Sequence, residues 1–155
     1  MTDPLDALLS FQQALLNGEI RLHAGELDPE LYVHASQSGD APQFTYVRLQ
    51  GLMVKGFVVM AMTEPKDDLP CFQASVAIPE AYRGQGSAKN ILEAAMAELK
   101  NGLSRNNAHS LYVEVIAGDD NEACKRLAES TISKTPVAVR DDVSGEPALQ
   151  YVRKL

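Results

Sequence analysis

Six residues, Arg83-Gly84-Gln85-Gly86-Ser87-Ala88, combine a fixed cation with two glycines at the junction between an apolar run ending at Pro79 and a helical pattern beginning near Ser87. The first N–H groups of a helix have no partner inside it, and the aligned peptide dipoles add partial positive charge at that end. Glycine at 84 and 86 tolerates the positive φ that turns successive N–H groups toward one point, and it lets a ligand approach the main chain closely. The chemistry such a turn supports is anion binding, with a phosphate or diphosphate as the natural occupant. Gly-x-Gly before a helix is also ordinary loop chemistry, so the flanking residues have to decide.

The elements that must position this turn are legible on either side of it. Phe72 to Ile78 reads as a strand leading in, and the helix leading out carries Ile91, Leu92, Ala95, Met96 and Leu99 on one side, with Gly102 expected to close it. Upstream, Phe44 to Gln50 alternates in β fashion and Val54 to Met62 is almost continuously apolar, so Phe57 to Met62 is expected to be a central strand buried on both faces. Glu64 to Pro70, with two prolines and two aspartates, reads as an exposed loop. Thr2-Asp3-Pro4 opens an N-terminal helix, with Asp3 as N-cap, Leu5, Leu8, Leu9, Leu15 and Leu16 at helical spacing and Gly18 as its stop. Residues 21 to 43 are the least readable part; Leu31-Tyr32-Val33 reads equally as a strand or an ordered loop. Beyond the long helix, Leu111 to Ile116 is a strand and Asn121 to Glu129 a short helix. A closing hairpin joins Val137 to Val139 and Ala148 to Val152 around Asp142-Val143-Ser144-Gly145. The order gives an α/β (α+β) fold of a single domain over residues 1–155, with one mixed, largely antiparallel central sheet flanked by helices.

The stretch from Val76 through Ala88 resembles the acetyl-CoA-binding core of the GNAT superfamily, the GCN5-related N-acetyltransferases. That family's pattern is Gln or Arg, two residues, Gly, one residue, then Gly or Ala, and Arg83, Gly86 and Ala88 satisfy it. The resemblance extends through Leu111–Val115 to Asn121 and covers the C-terminal half better than the N-terminal half. It implies the GNAT acyl-CoA N-acyltransferase fold and acetyl-CoA (CoA) as cofactor. It also implies that the strand ending at Ile78 splays from the one starting at Leu111 to admit the pantetheine arm. Val76, Ala77 and Ile78 would then pair with the pantetheine amides, and Arg83, Gly84, Gln85, Gly86, Ser87 and Ala88 would hold the pyrophosphate. Asn121 resembles the asparagine that contacts the cofactor, and it is also a good helix N-cap.

Glu114 is the expected general base, because Leu111-Tyr112-Val113-Glu114-Val115 looks like the strand in ribosomal-protein N-terminal acetyltransferases where a glutamate takes that role. Alternation puts Tyr112, Glu114 and Ile116 on one face of that strand. A solvent-facing glutamate with no catalytic role is the competing reading. Seven residues past the asparagine the family places a tyrosine that reprotonates the thiolate, and this chain has Ala128 there. Cys124 and Ser130 are the nearby alternatives. A second reading is therefore a non-catalytic acyl-CoA-binding sensor or partner domain, and a third is another phosphorylated ligand in the same turn.

Composition narrows the classes. The chain of 155 residues is 45% apolar and carries a net charge of −7. Residues 1 to 80 hold 11 acids against 4 bases, whereas residues 81 to 155 hold 10 of each. The acidic half argues against a nucleic-acid partner and suits a small-molecule or peptide amine substrate. No apolar run approaches spanning length and no basic-then-apolar leader opens the chain, so no membrane partner and a cytoplasmic location are expected. Cys71 and Cys124 lack metal or disulfide spacing, and His23, His34 and His109 are isolated, so no metal is expected. The final hairpin offers an edge strand for a possible homodimer.

Overall fold

In the computed structural model the strand signals condense into one eight-stranded sheet of order β1-β2-β3-β4-β5-β6-β8-β7. The structure describes residues 4–39, 41–105, 107, 109–142 and 144–155, and at Ser38 the main chain alone. Asp3, expected as an N-cap, and Val143 of the closing turn lie outside the described residues. The elements are α1 (Pro4–Leu16), β1 (His23–Ala24), β2 (Tyr32–Ser38), β3 (Ala41–Gln50), β4 (Met53–Lys66), β5 (Leu69–Ala77), a 3-10 turn (Glu80–Tyr82), α2 (Ser87–Ser104), β6 (Tyr112–Gly118), α3 (Glu122–Thr131), β7 (Val137–Arg140) and β8 (Pro147–Lys154). Every neighbouring pair is antiparallel except β5 with β6. The mixed, largely antiparallel sheet expected from the sequence is the one observed.

Alternation along the strands splits the core in two. Val58, Met60, Phe72, Ala74, Val113, Val115 and Tyr151 join Ile91, Leu92, Ala95, Met96 and Leu99 of α2 and Ala128 of α3 on one face. Val47, Phe57 and Ala77 meet Leu8, Phe11 and Leu15 of α1 on the other. β4 is a central strand, with Phe57, Val58 and Met60 buried, but Val59, Ala61 and Met62 are only half-buried, so the two-sided burial expected of Phe57 to Met62 holds only at its start. The helix α1 is observed where expected, but its buried stripe is Leu8, Phe11 and Leu15, whereas Leu5, Leu9 and Leu16, also expected on it, are exposed. It ends as expected at Gly18 (φ 74). Gln12 ties α1 to the β3–β4 turn, its amide donating to Leu52 O at 2.9 Å and accepting from Val54 N at 2.7 Å.

Two expectations are corrected. Glu64 to Pro70 is not a loop: β4 runs to Lys66, β5 starts at Leu69, and the turn is Asp67-Asp68 with φ of 51 and 64. Aspartate tolerates the left-handed region, and two such residues form the tight turn whose twist suits a hairpin. Pro65 is accommodated because the β4–β5 register shifts between Thr63 and Lys66. Gly102 does not close the helix either; α2 continues through it to Ser104, and the left-handed residue comes later, at Asn107 (φ 66).

The stretch from 21 to 43 resolves into β1, β2 and the start of β3, joined by a clamped loop. Leu31 is fully buried and Tyr32 opens β2, so the short apolar run is a strand entry. The loop before it wraps the Glu98 carboxylate of α2, which accepts from the N–H groups of Glu26 (3.0 Å), Leu27 (2.5 Å) and Asp28 (2.9 Å). Gly25 is required there, since an added Cβ would lie 2.6 Å from Asp28 O. Arg48 on β3 then holds Asp28 at 2.8 Å, and its guanidinium keeps that carboxyl below the usual range. Among the described residues, no helix is long and apolar enough to cross a membrane.

Candidate functional site

The parallel pairing of β5 with β6 covers only Cys71↔Tyr112, Phe72↔Val113 and Gln73↔Glu114. Beyond that point β5 stays paired to β4 as far as Ala77, and β6 stays paired to β8 as far as Gly118. The two strands therefore separate, and the inner edge of each is left without a strand partner from Ala74 and Val115 onward. A cleft of about 470 Å³ fills the gap. Val76, Ala77 and Ile78 form one wall, Val115 and Ile116 the other, and Asn121, Cys124 and Leu127 of α3 close one side. Pro4 and Leu5 of α1 border it from the opposite face of the sheet, so the cleft passes between the strands from one face to the other.

At its far end the cleft meets a second hollow of about 310 Å³ that shares Ile78, Arg83, Ala88 and Leu127 with it. This hollow lies over the turn. Gly84 (φ 78) and Gly86 (φ 71) are left-handed, and Gly86 is the N-cap of α2 with no side chain capping it. The first intrahelical bond is Asn90 N to Gly86 O at 3.1 Å, so the N–H groups of Ser87, Ala88 and Lys89 have no intrahelical acceptor. An added Cβ on either glycine would meet nothing within 4 Å, which is the open space a ligand needs. Arg83 donates from Nε to Ile78 O at 2.9 Å, fastening the turn to the end of β5. Arg126 and Ser130 of α3 and Lys89 of α2 complete the lining. Three cations around unpaired N–H groups fit a diphosphate and would repel a cationic ligand.

Nine of the eleven sequence-derived site residues line this path. Val76, Ala77, Ile78 and Asn121 line the cleft, and Arg83, Gly84, Gly86, Ser87 and Ala88 line the hollow at the turn. Glu114 is not among the lining residues; it stands at the last paired position, where the gap begins. Gln85 lines a neighbouring hollow with Arg48, Lys55 and Asn90, which shares Gly86 and Ser87 with the first. Asn121 is the N-cap of α3, its Oδ1 accepting from Cys124 N at 3.1 Å, and it borders the cleft from that position.

Glu114 shares its face with Tyr112 and Ile116, as alternation requires, and all three are half-buried. Gln150 of β8 donates from Nε2 to Glu114 Oε2 at 2.7 Å and fixes the carboxylate beside the gap. Gln150 was not visible as a partner in the sequence, since only the β6–β8 register brings the two together. Arg126 and Ser130 were also missed. Their spacing of four on α3, starting five residues after Asn121, is the one local signal that they face the same way as each other.

Ala128 is fully buried in the core beneath α3. Neither nearby alternative offers a ready proton: burial pushes the Cys124 thiol up, and Ser130 Oγ donates to Leu127 O at 3.0 Å. Both cysteines are free thiols, and no group of side chains suited to a metal occurs among the described residues.

No family model and no curated protein matches the chain by sequence. Solved structures do match by shape. An apo structure of a ribosomal L7/L12 alpha-N-protein acetyltransferase, RimL, superposes with a TM-score of 0.60 at 12% identity, covering 86% of this chain and 95% of that one. A GNAT-family acetyltransferase from Streptococcus pneumoniae gives 0.54 at 13% identity over 73% of this chain, which spans about two thirds (66%) of that enzyme's length. RimL in complex with coenzyme A gives 0.51 at 16% identity, with 72% and 61% covered. The eight-stranded sheet and its helices therefore have the fold of these solved GNAT acetyltransferases.

Proposed function

We propose that the chain is an acetyl-CoA-dependent N-acetyltransferase that moves an acetyl group to a primary amine by direct attack on the thioester. The observation that carries this reading is the cleft through the sheet, continuous with the cationic turn and opening just past the last β5–β6 pair, Gln73↔Glu114. A long ligand with a diphosphate at one end and a reactive carbonyl at the other matches that path. Solved proteins of the same fold are named as acetyltransferases, and one of them holds coenzyme A.

In this reading acetyl-CoA supplies the activated acetyl group. The turn from Arg83 to Ala88, with Lys89 and Arg126, holds the diphosphate through main-chain N–H groups and positive charge. Val76 to Ile78 would offer main-chain groups to the pantetheine amides, and the N–H groups of that edge would supply hydrogen-bond donors for negative charge on the thioester carbonyl. Glu114 accepts the proton that the attacking amine must shed, because an ammonium has no lone pair. Holding a lysine amine neutral at pH 7 costs roughly 4.6 kcal/mol, an α-amine only about 1 kcal/mol. One carboxylate oriented by Gln150 suits the smaller task. The unit is a single domain of residues 1–155 in the cytoplasm, and a homodimer would form through an edge strand such as β7.

Calorimetry with CoA, followed by thiol release from acetyl-CoA over a panel of amines, tests the proposal. Binding with turnover is the expected result; absence of CoA binding rejects it. Ala128 favours the second reading, a binding module without turnover. Glu114→Gln separates the two, since an enzyme loses turnover and keeps CoA affinity, whereas a binder changes in neither.

A further inference from the structure

Val54 and Phe57 of β4 both belong to the core that α1 covers, although residues three apart on an unbroken strand face opposite ways. A β-bulge reconciles them. The β3–β4 register passes from Arg48↔Gly56 to Leu49↔Val54, so Lys55 is the extra residue with no partner opposite it. Gly56 faces α2, where an added Cβ would lie 3.0 Å from Ile91 Cδ1, and the bulge turns Lys55 to that same side. Both border the hollow of about 380 Å³ that also holds Gln85. Bulges re-aim side chains, and this one brings a lysine beside Arg48.

The hollow is cationic in a chain that is otherwise acidic. Residues 1 to 80 contain four bases; two of them, Arg48 and Lys55, line it, and none of its ten lining residues is an acid. Arg48, whose side chain is 17% exposed, is fixed in place: its Nε donates to Asn90 Oδ1 at 2.9 Å and its Nη2 to Asp28 Oδ2 at 2.8 Å. Two of the five guanidinium N–H groups are used and three remain. Lys55 is half-buried and makes no hydrogen bond or ion pair with any described residue. The Tyr82 hydroxyl donates to Gln50 Oε1 at 3.2 Å, which leaves the Gln50 amide nitrogen as a further donor.

We propose that this hollow is an anion site separate from the coenzyme path, and that its ligand is a small phosphate monoester. A phosphoryl group brings three strong acceptor oxygens and close to two negative charges at neutral pH. The ammonium of Lys55 and the three remaining guanidinium N–H groups match both, whereas a carboxylate, with two oxygens and one charge, satisfies fewer of them. The hollow is larger than a phosphoryl group and lies within the range of small-molecule pockets, so it has room for the organic part of the ester. None of its residues lines the cleft, and the coenzyme path has its own cations in Arg83, Lys89 and Arg126. Tyr82, Gly86 and Ser87 border both hollows, so the monoester sits across the turn from the diphosphate of the acetyltransferase reading.

The test titrates the isotope-labelled full chain with phenyl phosphate at constant ionic strength, with and without saturating CoA, and follows the side-chain amides of Gln50 and Asn90 by NMR. Saturable shifts are expected in both titrations, with benzoate binding several-fold more weakly. Lys55→Met, which keeps the aliphatic stem, is expected to weaken phenyl phosphate about tenfold and to leave CoA affinity within about twofold of the parent. Lys55→Arg is expected to retain binding, and so is Arg126→Ala, which lies on the far side of the turn. Absence of saturable shifts, equal affinity in Lys55→Met, or benzoate binding as tightly as phenyl phosphate overturns the inference. Displacement of phenyl phosphate by CoA but not by dephospho-CoA also overturns it, because the hollow would then hold the coenzyme's own 3′-phosphate. A chain that binds no CoA loses the acetyltransferase reading, and the coenzyme-free titration still decides this one.

Discussion

Replacing Gly86 by alanine isolates what the turn contributes. The residue sits at φ 71 as N-cap of α2, and the added methyl would find nothing within 4 Å, so no clash contributes to the cost. What remains is backbone strain: an L-residue held left-handed costs about 1–2 kcal/mol. For a domain of this size that lowers Tm by roughly 2–8 °C. If the chain instead relaxes φ to relieve the strain, the N–H groups of Ser87, Ala88 and Lys89 swing away from their common focus and coenzyme affinity falls. Gly102→Ala is the control. It also meets nothing within 4 Å, but it lies inside α2 without a positive φ, where alanine is better than glycine by up to about 1 kcal/mol. Urea unfolding of both variants, with CoA titrations by calorimetry, is the assay. Loss at 86 in stability or affinity, with gain at 102 in stability and unchanged affinity, is expected. A Gly86→Ala protein as stable as the parent, with equal CoA affinity, would refute the reasoning.

Arg126→Ala should weaken CoA binding and flatten its dependence on salt, because one of the cations lining the turn is lost; identical salt slopes would contradict this placement. Glu98→Ala should cost about 2 kcal/mol or more by leaving three N–H groups of the 26–28 loop without their acceptor, read as a shifted urea midpoint. Asp28 has a depressed carboxyl pKa set first by its hydrogen bond from Arg48, so its contribution to stability is present above about pH 4 and is lost as pH falls through the lowered value. Arg48→Met should therefore flatten the acid limb of the stability profile, and an unchanged limb would remove Asp28 from the account.

How much of this was legible follows from the range of the interactions involved. The turn is a local object, where glycine spacing and the following helical stripe sit within a dozen residues, so Arg83 to Ala88 could be read directly. The alternation of β6 likewise placed Glu114 on the correct face. The pairing of Gln150 with Glu114 depends on the β6–β8 register, which no local pattern encodes. The Glu64–Pro70 stretch misled because two prolines and two aspartates are turn formers in composition, while their placement permits a bulge and a two-residue turn that continue the strands. Residues 21 to 43 were opaque because their order comes from elsewhere. The loop is fixed by a carboxylate about seventy residues away in sequence, and nothing in the loop itself announces that partner. Gly102 was read as a stop because glycine favours helix ends, yet packing of Leu99 and Leu103 carries α2 past it.

In the proposed acetyl transfer Ala128 would leave the departing thiolate without the tyrosine hydroxyl that the family resemblance implies, and the surroundings do not replace it. The Cys124 thiol is pushed up by burial and is a poor acid at neutral pH. Ser130 has its proton committed to Leu127 O, and the buried Tyr151 hydroxyl, also pushed up, does not line the cleft. A thiolate leaves far more readily than an alkoxide, so water at the open cleft suffices for its protonation. The kcat/KM profile against pH should then have an ascending limb, as the acceptor amine loses its proton, and should level off without the descending limb that a titrating acid produces. Cys124→Ala and Ser130→Ala should reproduce the parent profile. A descending limb below pH 9 that disappears in Cys124→Ala would assign the proton to that thiol and contradict the inertness inferred from its burial.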